Sequence, residues 1–163
     1  MSNPSVDVTV TVDTSSTHIV SRFESVNSLF DKVNNAVERG AEDGAEALGE
    51  KVADMQREFL AVGGHIITGE LYNSISSVGG GLSYTIGSTL GDEAFSPSVI
   101  EYGRGEVYPV NCQFLHYVDG RTGKEVFSRY SRAYAGDPYV SPSAEYGASV
   151  AHETVWDSIN GWL

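Results

Sequence analysis

Val6, Val8, Val10 and Val12 alternate with Asp7, Thr9 and Thr11, and the run ends in the turn-forming cluster Asp13-Thr14-Ser15-Ser16. β-Branched residues at period two give a chain segment one apolar face, so residues 1–20 are expected to carry an N-terminal strand. Its open edge makes Val8 and Val10 candidate interface residues. Between Ser21 and Val62 the period changes. Val26, Phe30, Val33, Val37, Ala41, Ala45, Leu48, Val52, Met55 and Phe59 follow one another in steps of three or four. That spacing predicts one long amphipathic helix over 21–62, opened by a Ser21/Glu24 capping box and stopped at Gly63-Gly64. Gly40, Gly44 and Gly49 weaken its middle by ~1 kcal/mol each relative to alanine, and are read as tolerated glycines, a bend, or a close approach of another element.

After the glycine stop the pattern breaks into short β-prone segments spanning 68–140. Leu71 to Val78 and Leu82 to Ile86 flank Gly79-Gly80-Gly81, which reads as a hairpin loop. Val107 to Val118 and Glu125 to Tyr134 flank a turn that begins Asp119-Gly120, so a longer hairpin over 105–134 is expected to project from the body. From Ser143, a looser helical period through Val150, Val155, Ile159 and Trp162 predicts a closing helix over 143–162. The expected fold is α+β: a long N-terminal helix and a C-terminal helix packed on an antiparallel sheet, in a single domain over 1–163 with a projecting hairpin.

Charge narrows the functional classes. With 22 acidic and 10 basic residues the chain carries a formal charge of −12 and a pI near 4.5. Such a field repels phosphates and anionic lipids, which speaks against a protein that wraps nucleic acid or rests on a membrane. Only Lys32, Lys51 and Lys124 are lysines. An acid-rich, lysine-poor surface fits either a high-salt environment or plain solubility. No stretch approaches the ~20 apolar residues of a membrane span, and the opening residues form no basic-then-apolar leader, so no secretory signal is expected. The lone Cys112 reads as a small buried hydrophobe and cannot form an internal disulfide.

Chemistry-bearing patterns are sparse. His18, His65, His116 and His152 are scattered, no His-x-x-x-His or paired cysteine occurs, and Gly79-Gly80-Gly81 lacks the Lys-Ser/Thr of a phosphate-cradling loop. No Gly-x-Ser-x-Gly elbow is present. No catalytic, cofactor-binding or metal-binding residue is expected, and no cofactor.

Four segments recur in a telling order. Thr68-Gly69-Glu70-Leu71-Tyr72-Asn73-Ser74-Ile75 follows the long helix, then come Tyr84-Thr85-Ile86-Gly87, Val99-Ile100-Glu101-Tyr102-Gly103 and Asp137-Pro138-Tyr139-Val140-Ser141-Pro142. This series resembles the head-tail joining and tail-component (neck or tail-completion) proteins of siphovirus-type tailed viruses, over roughly residues 22–160. The matching positions are Thr68, Gly69, Leu71, Ile75, Glu101, Gly103, Pro138 and Pro142. The chain departs from that family at His65-Ile66-Ile67, where a proline-containing turn is usual, and in the length of 105–134. The resemblance implies a non-enzymatic structural virion protein forming a homo-oligomeric ring, a hexamer, at the head-tail junction. Neighbouring neck, connector and tail proteins would adjoin it, and DNA would pass through without specific binding. It would reside in the virion after assembly in the host cytoplasm. A tail terminator, another tail-tube component and a soluble non-viral adaptor are the alternatives.

The same motifs carry local expectations. Thr68-Gly69 should form a sharp turn, with Leu71 and Ile75 packing under the long helix. Glu101 and Arg104 are placed for a local or inter-subunit ion pair. Pro138 and Pro142 should hold the chain extended around Tyr139-Val140. Tyr102, Arg104, Tyr117 and Tyr139 join Val8 and Val10 as candidate interface residues, because Tyr and Arg are favoured anchors where proteins meet. Tyrosines of the second half are equally readable as cross-strand pairs.

Overall fold

The computed structural model describes residues 5–9, 24–90, 96–119 and 121–163. In chain order the elements are β1 (Ser5–Thr9), α1 (Glu24–Val62), α2 (Glu70–Ser74), β2 (Ile75–Gly80), β3 (Ser83–Ser88), α3 (Ser96–Tyr102), β4 (Leu115–Val118), β5 (Glu125–Ser128) and α4 (Val140–Trp162). The architecture is the expected α+β, with two helices on a small antiparallel sheet and a separate two-stranded hairpin. Val10, Val12 and Ser21 lie outside the described residues. Val8 stands in β1 opposite Tyr84.

Helix α1 is 39 residues long, about 58 Å at 1.5 Å per residue. Its apolar stripe meets two partners. Val52, Ala53 and Leu60 enter the core with Leu71, Ile75, Ile86, Tyr139 and Val140, while Ala41, Ala45 and Leu48 are buried farther toward its N-terminus. α4 runs antiparallel along it, and the glycines decide how closely. A Cβ on Gly40 would stand 2.5 Å from the Cα of Ile159, one on Gly44 2.8 Å from the Cα of Val155, and one on Gly147 of α4 2.6 Å from Val52 Cγ2. Of the readings open from the pattern, close approach is therefore the one realised. Lys51 Nζ donates to Thr154 Oγ1 at 2.8 Å across this seam, and Trp162 Nε1 donates to Asp43 at 2.7 Å at its far end.

The sheet has the order β1-β3-β2, both pairs antiparallel. Gly81, at φ 59°, opens the two-residue turn between Gly80 and Ser83, as the glycine run predicts. The stretch 71–78 is not a continuous strand. Residues 70–74 form a single helical turn, because Gly69 at φ 80° reverses the chain so that Leu71 and Ile75 both point into the core. Thr68 Oγ1 accepts the amide of Glu70 at 3.4 Å, which completes the turn.

α4 begins at Val140, three residues ahead of the expected start, and Pro142 lies in its first turn. A proline there lacks only an amide that would have no intrahelical partner, so it is helical where the sequence suggested extended chain. No helix among the described residues is long and apolar enough to cross a membrane.

Candidate functional site

Two of the sequence motifs meet at one joint, through residues 38 to 40 positions apart. Glu101 sits at the end of α3 and is only 4% exposed. Its Oε2 accepts the amides of Tyr139 and Val140 at 2.8 and 2.9 Å, and its Oε1 accepts the amide and hydroxyl of Ser141 at 3.1 and 2.8 Å. Those amides open α4, and no capping side chain of its own sequence serves them. A carboxylate at a helix N-terminus satisfies orphan donors and faces the positive end of the helix dipole. Glu101 is thus a long-range cap, and the expected pairing with Arg104 is not made. Arg104 Nη2 instead donates to Ser131 Oγ at 2.5 Å.

Immediately beyond Glu101 the chain leaves the body through a glycine crossing. Gly103 (φ 74°) and Gly136 (φ 84°) both need left-handed backbone, and a Cβ on Gly103 would collide with the carbonyl oxygen of Tyr134. A Cβ on Gly136 would stand 2.7 Å from Gly103 N. Asp137 N donates to Ile100 O at 2.7 Å, and His65 Nε2 lies 2.9 Å from Asp137 Oδ2, tying this root to the end of α1. Tyr139, expected at an interface, is 1% exposed and packs in the core beside this joint. Burial, then the nearby Glu101 carboxylate, pushes its hydroxyl well above the usual tyrosine range.

Residues 104–134 form the projecting arm. Arg104 and Tyr134 exchange amide-to-carbonyl bonds of 2.8 Å each, and Val107 and Ser131 exchange a second pair. The regular ladder then resumes only at β4 and β5, in the register Leu115↔Ser128 to Val118↔Glu125. The continuous pairing expected from 107 to 118 is broken at 108–114, where Pro109 has no amide to donate and the longer strand bows away. The bow leaves an open concavity of about 580 Å3 lined by Arg104, Val107, Leu115, His116, Tyr117 and Ser131. At the tip, Asp119 Oδ1 accepts the amide of Arg121 at 2.8 Å, and this bond, with help from Thr122, holds its carboxyl below the usual range.

Nothing in the arm is buried, among its described residues. Val110 is 92% exposed, Phe127 64% and Tyr117 46%. Tyr102, at its root, is exposed as well. Tyr108 stacks on Tyr130 with ring centres 6.0 Å apart, and His116 stacks on Phe127 at 4.5 Å, so the rings do form cross-strand pairs. These pairs stiffen the hairpin while leaving its apolar faces in water. Cys112, read as a buried hydrophobe, is exposed in the bowed segment, where its thiol donates to Phe114 O at 3.0 Å. The bowed segment, with Val110 and Phe114 exposed beside the thiol, passes no core for it to enter.

Two features missed in the sequence concern charge. Glu38, Glu42, Glu46, Glu50, Asp54 and Glu58 recur every four residues along α1, all exposed. Like charges at that spacing repel by about 0.2–0.5 kcal/mol per pair, and only Asp54 has an ion-pair partner, Arg57 at 2.6 Å, among the described residues. Second, Arg104, Arg121, Lys124, Arg129 and Arg132 place half of the ten basic residues in the arm, against Glu106, Asp119 and Glu125 of the twenty-two acids. Counting residue signs by segment would have found both.

Two other places were candidates for chemistry. A groove of about 280 Å3 between α1, α4 and Thr9 is lined chiefly by Leu48, Val155, Trp156 and Ile159, with His152 as its lone titratable group. His65, paired with Asp137, borders another hollow, but no hydroxyl or thiol hydrogen-bonds its ring among the described residues. Among the described residues no group of three His, Cys, Asp or Glu side chains gathers as a metal site would need. Compared with family models, curated proteins and solved structures, the chain matches none of them.

Proposed function

We propose that this chain is a non-enzymatic structural protein of a tailed virus, a ring subunit at the head-tail junction through which DNA passes without specific binding. The observation that carries the reading is the arm: about thirty residues, rich in aromatic side chains, with none buried in the chain's own core. A protein that leaves such a segment in water gains from it only when something else covers it. The four-motif resemblance supplies the context. Its positions here do structural work, since Thr68-Gly69 turns the chain, Leu71 and Ile75 fill the core, and Glu101, Gly103 and the Pro138–Pro142 segment build the root of the arm. The excess of carboxylates suits a conduit, because a wall of like sign lets phosphates slide without adhering.

Immunogold labelling of tailed particles from the host that carries this gene tests the reading. Label at the junction of head and tail is the expected result. Label along the tail or at another of its levels would reassign the chain to a tail-tube component or terminator. Particles free of label, with the chain found only in the soluble fraction, would overturn a virion role in favour of an adaptor.

A further inference from the structure

We infer that the seat of the arm is the acidic stripe of α1 on a second copy of this chain. The inference deepens the ring reading and rests on it for the closed arrangement, while the two surfaces stand on their own observations. The first is segregation of charge. The arm has five cations and three acids, and the other five cations of the chain face nineteen acids. Within the body Arg57 holds Asp54, Lys51 bonds Thr154 and Arg39 lies 5.5 Å over the Trp162 ring, while Lys32 is exposed six residues before the stripe begins at Glu38. In the arm, Lys124, Arg129 and Arg132 are exposed and their side chains have no hydrogen-bond or ion-pair partner among the described residues.

The second observation is the match of shape. The stripe from Glu38 to Glu58 spans twenty helical steps, about 30 Å. The straighter side of the arm, residues 125–134, reaches about 30 Å when extended. An apolar and aromatic ribbon flanked by arginines therefore meets a row of carboxylates of the same length. Within one chain no ion pair joins the two, among the described residues. Two different patches that complement each other but do not meet at home define a heterologous contact, the kind that propagates around a ring. Burial followed by the charges of Glu46, Glu42 and Asp43 also raises the Tyr84 hydroxyl, as a field of uncompensated carboxylates should.

The test uses the full chain in sedimentation velocity, with circular dichroism to confirm folding. Wild type should self-associate at about 50 mM salt and bind itself about tenfold or more weakly at about 500 mM, because the attraction is screened. Arg129→Glu with Arg132→Glu should be monomeric, as should Glu46→Lys with Glu50→Lys, and mixing the two variants should restore association, since each then offers the charge the other lacks. Association of the Glu46→Lys/Glu50→Lys variant at wild-type strength would overturn the proposed seat. So would association that strengthens with salt, or a monomeric wild type that instead retards duplex DNA through Arg129 and Arg132. Junction labelling of particles together with a chain that stays monomeric would sink this contact alone and leave the ring reading standing.

Discussion

The α1-α4 seam and the 104–134 arm are opposite solutions to the same problem of covering apolar surface. Along the seam, Gly40, Gly44 and Gly147 remove side chains so that two backbones close on each other, and Ile159, Val155 and Val52 fill what space remains. Ala41, Ala45, Leu48 and Val52 of α1 are buried there, although Trp156 beside the groove stays half exposed. In the arm Tyr108 stacks on Tyr130 and His116 on Phe127, yet these tyrosines, Phe127 and Tyr117 all stay exposed. The seam is finished by folding and the arm is not, so changes to the first should register as stability and changes to the second as association.

The joint between the two regions should be the most sensitive point. Glu101→Ala strands three amides of the α4 N-terminus and is expected to cost about 3–5 kcal/mol, read by urea denaturation, with Glu101→Gln losing less because one acceptor oxygen survives. Gly44→Leu drives a side chain into the α4 backbone, and a loss of about 3 kcal/mol in the same assay would confirm that the seam cannot yield. A smaller effect of opposite sign is expected at Gln56, which is fully buried and whose amide has no hydrogen-bond partner among the described residues. Gln56→Leu should stabilise by about 1 kcal/mol, a rise of about 3 °C in Tm. Phe127→Ser, by contrast, should leave the denaturation midpoint of the monomer within about 0.5 kcal/mol of wild type, and a larger loss would show that the arm is part of the folded core after all.

The smallest effect is local to the tip. Because the folded-state carboxyl of Asp119 titrates below its unfolded value, its contribution is present above the ordinary carboxylate range and disappears as pH falls through the depressed one. The amide resonance of Arg121 should hold its position from neutrality down to that range and then move, while Asp119→Asn should remove the transition.

Periodic and turn features were legible because their causes are local. The run of apolar steps gives α1, Gly81 opens the first hairpin, Gly69 marks left-handed backbone, and the Asp119 region marks the arm. Misreadings fell where the deciding partner is distant in sequence. Glu101 looked like half of an ion pair with Arg104, three residues away, whereas its partners are the amides at 139–141. Nothing adjacent to Tyr139 distinguishes an interface ring from a core ring, since Leu60, Ile75 and Ile86, which share its cluster, are distant in sequence. Pro142 was read as extended because its helical neighbours are stabilised by that same remote carboxylate.

By itself, then, the sequence determined the two long helices, the hairpin turns and how charge is shared between arm and body, since backbone sterics and side-chain period act over a few residues. Only the tertiary structure decided that the helix glycines serve a close approach, that one buried carboxylate starts the last helix, and that the arm leaves its rings uncovered. Burial and long-range hydrogen bonding belong to pairs of segments, and no single segment encodes its partner.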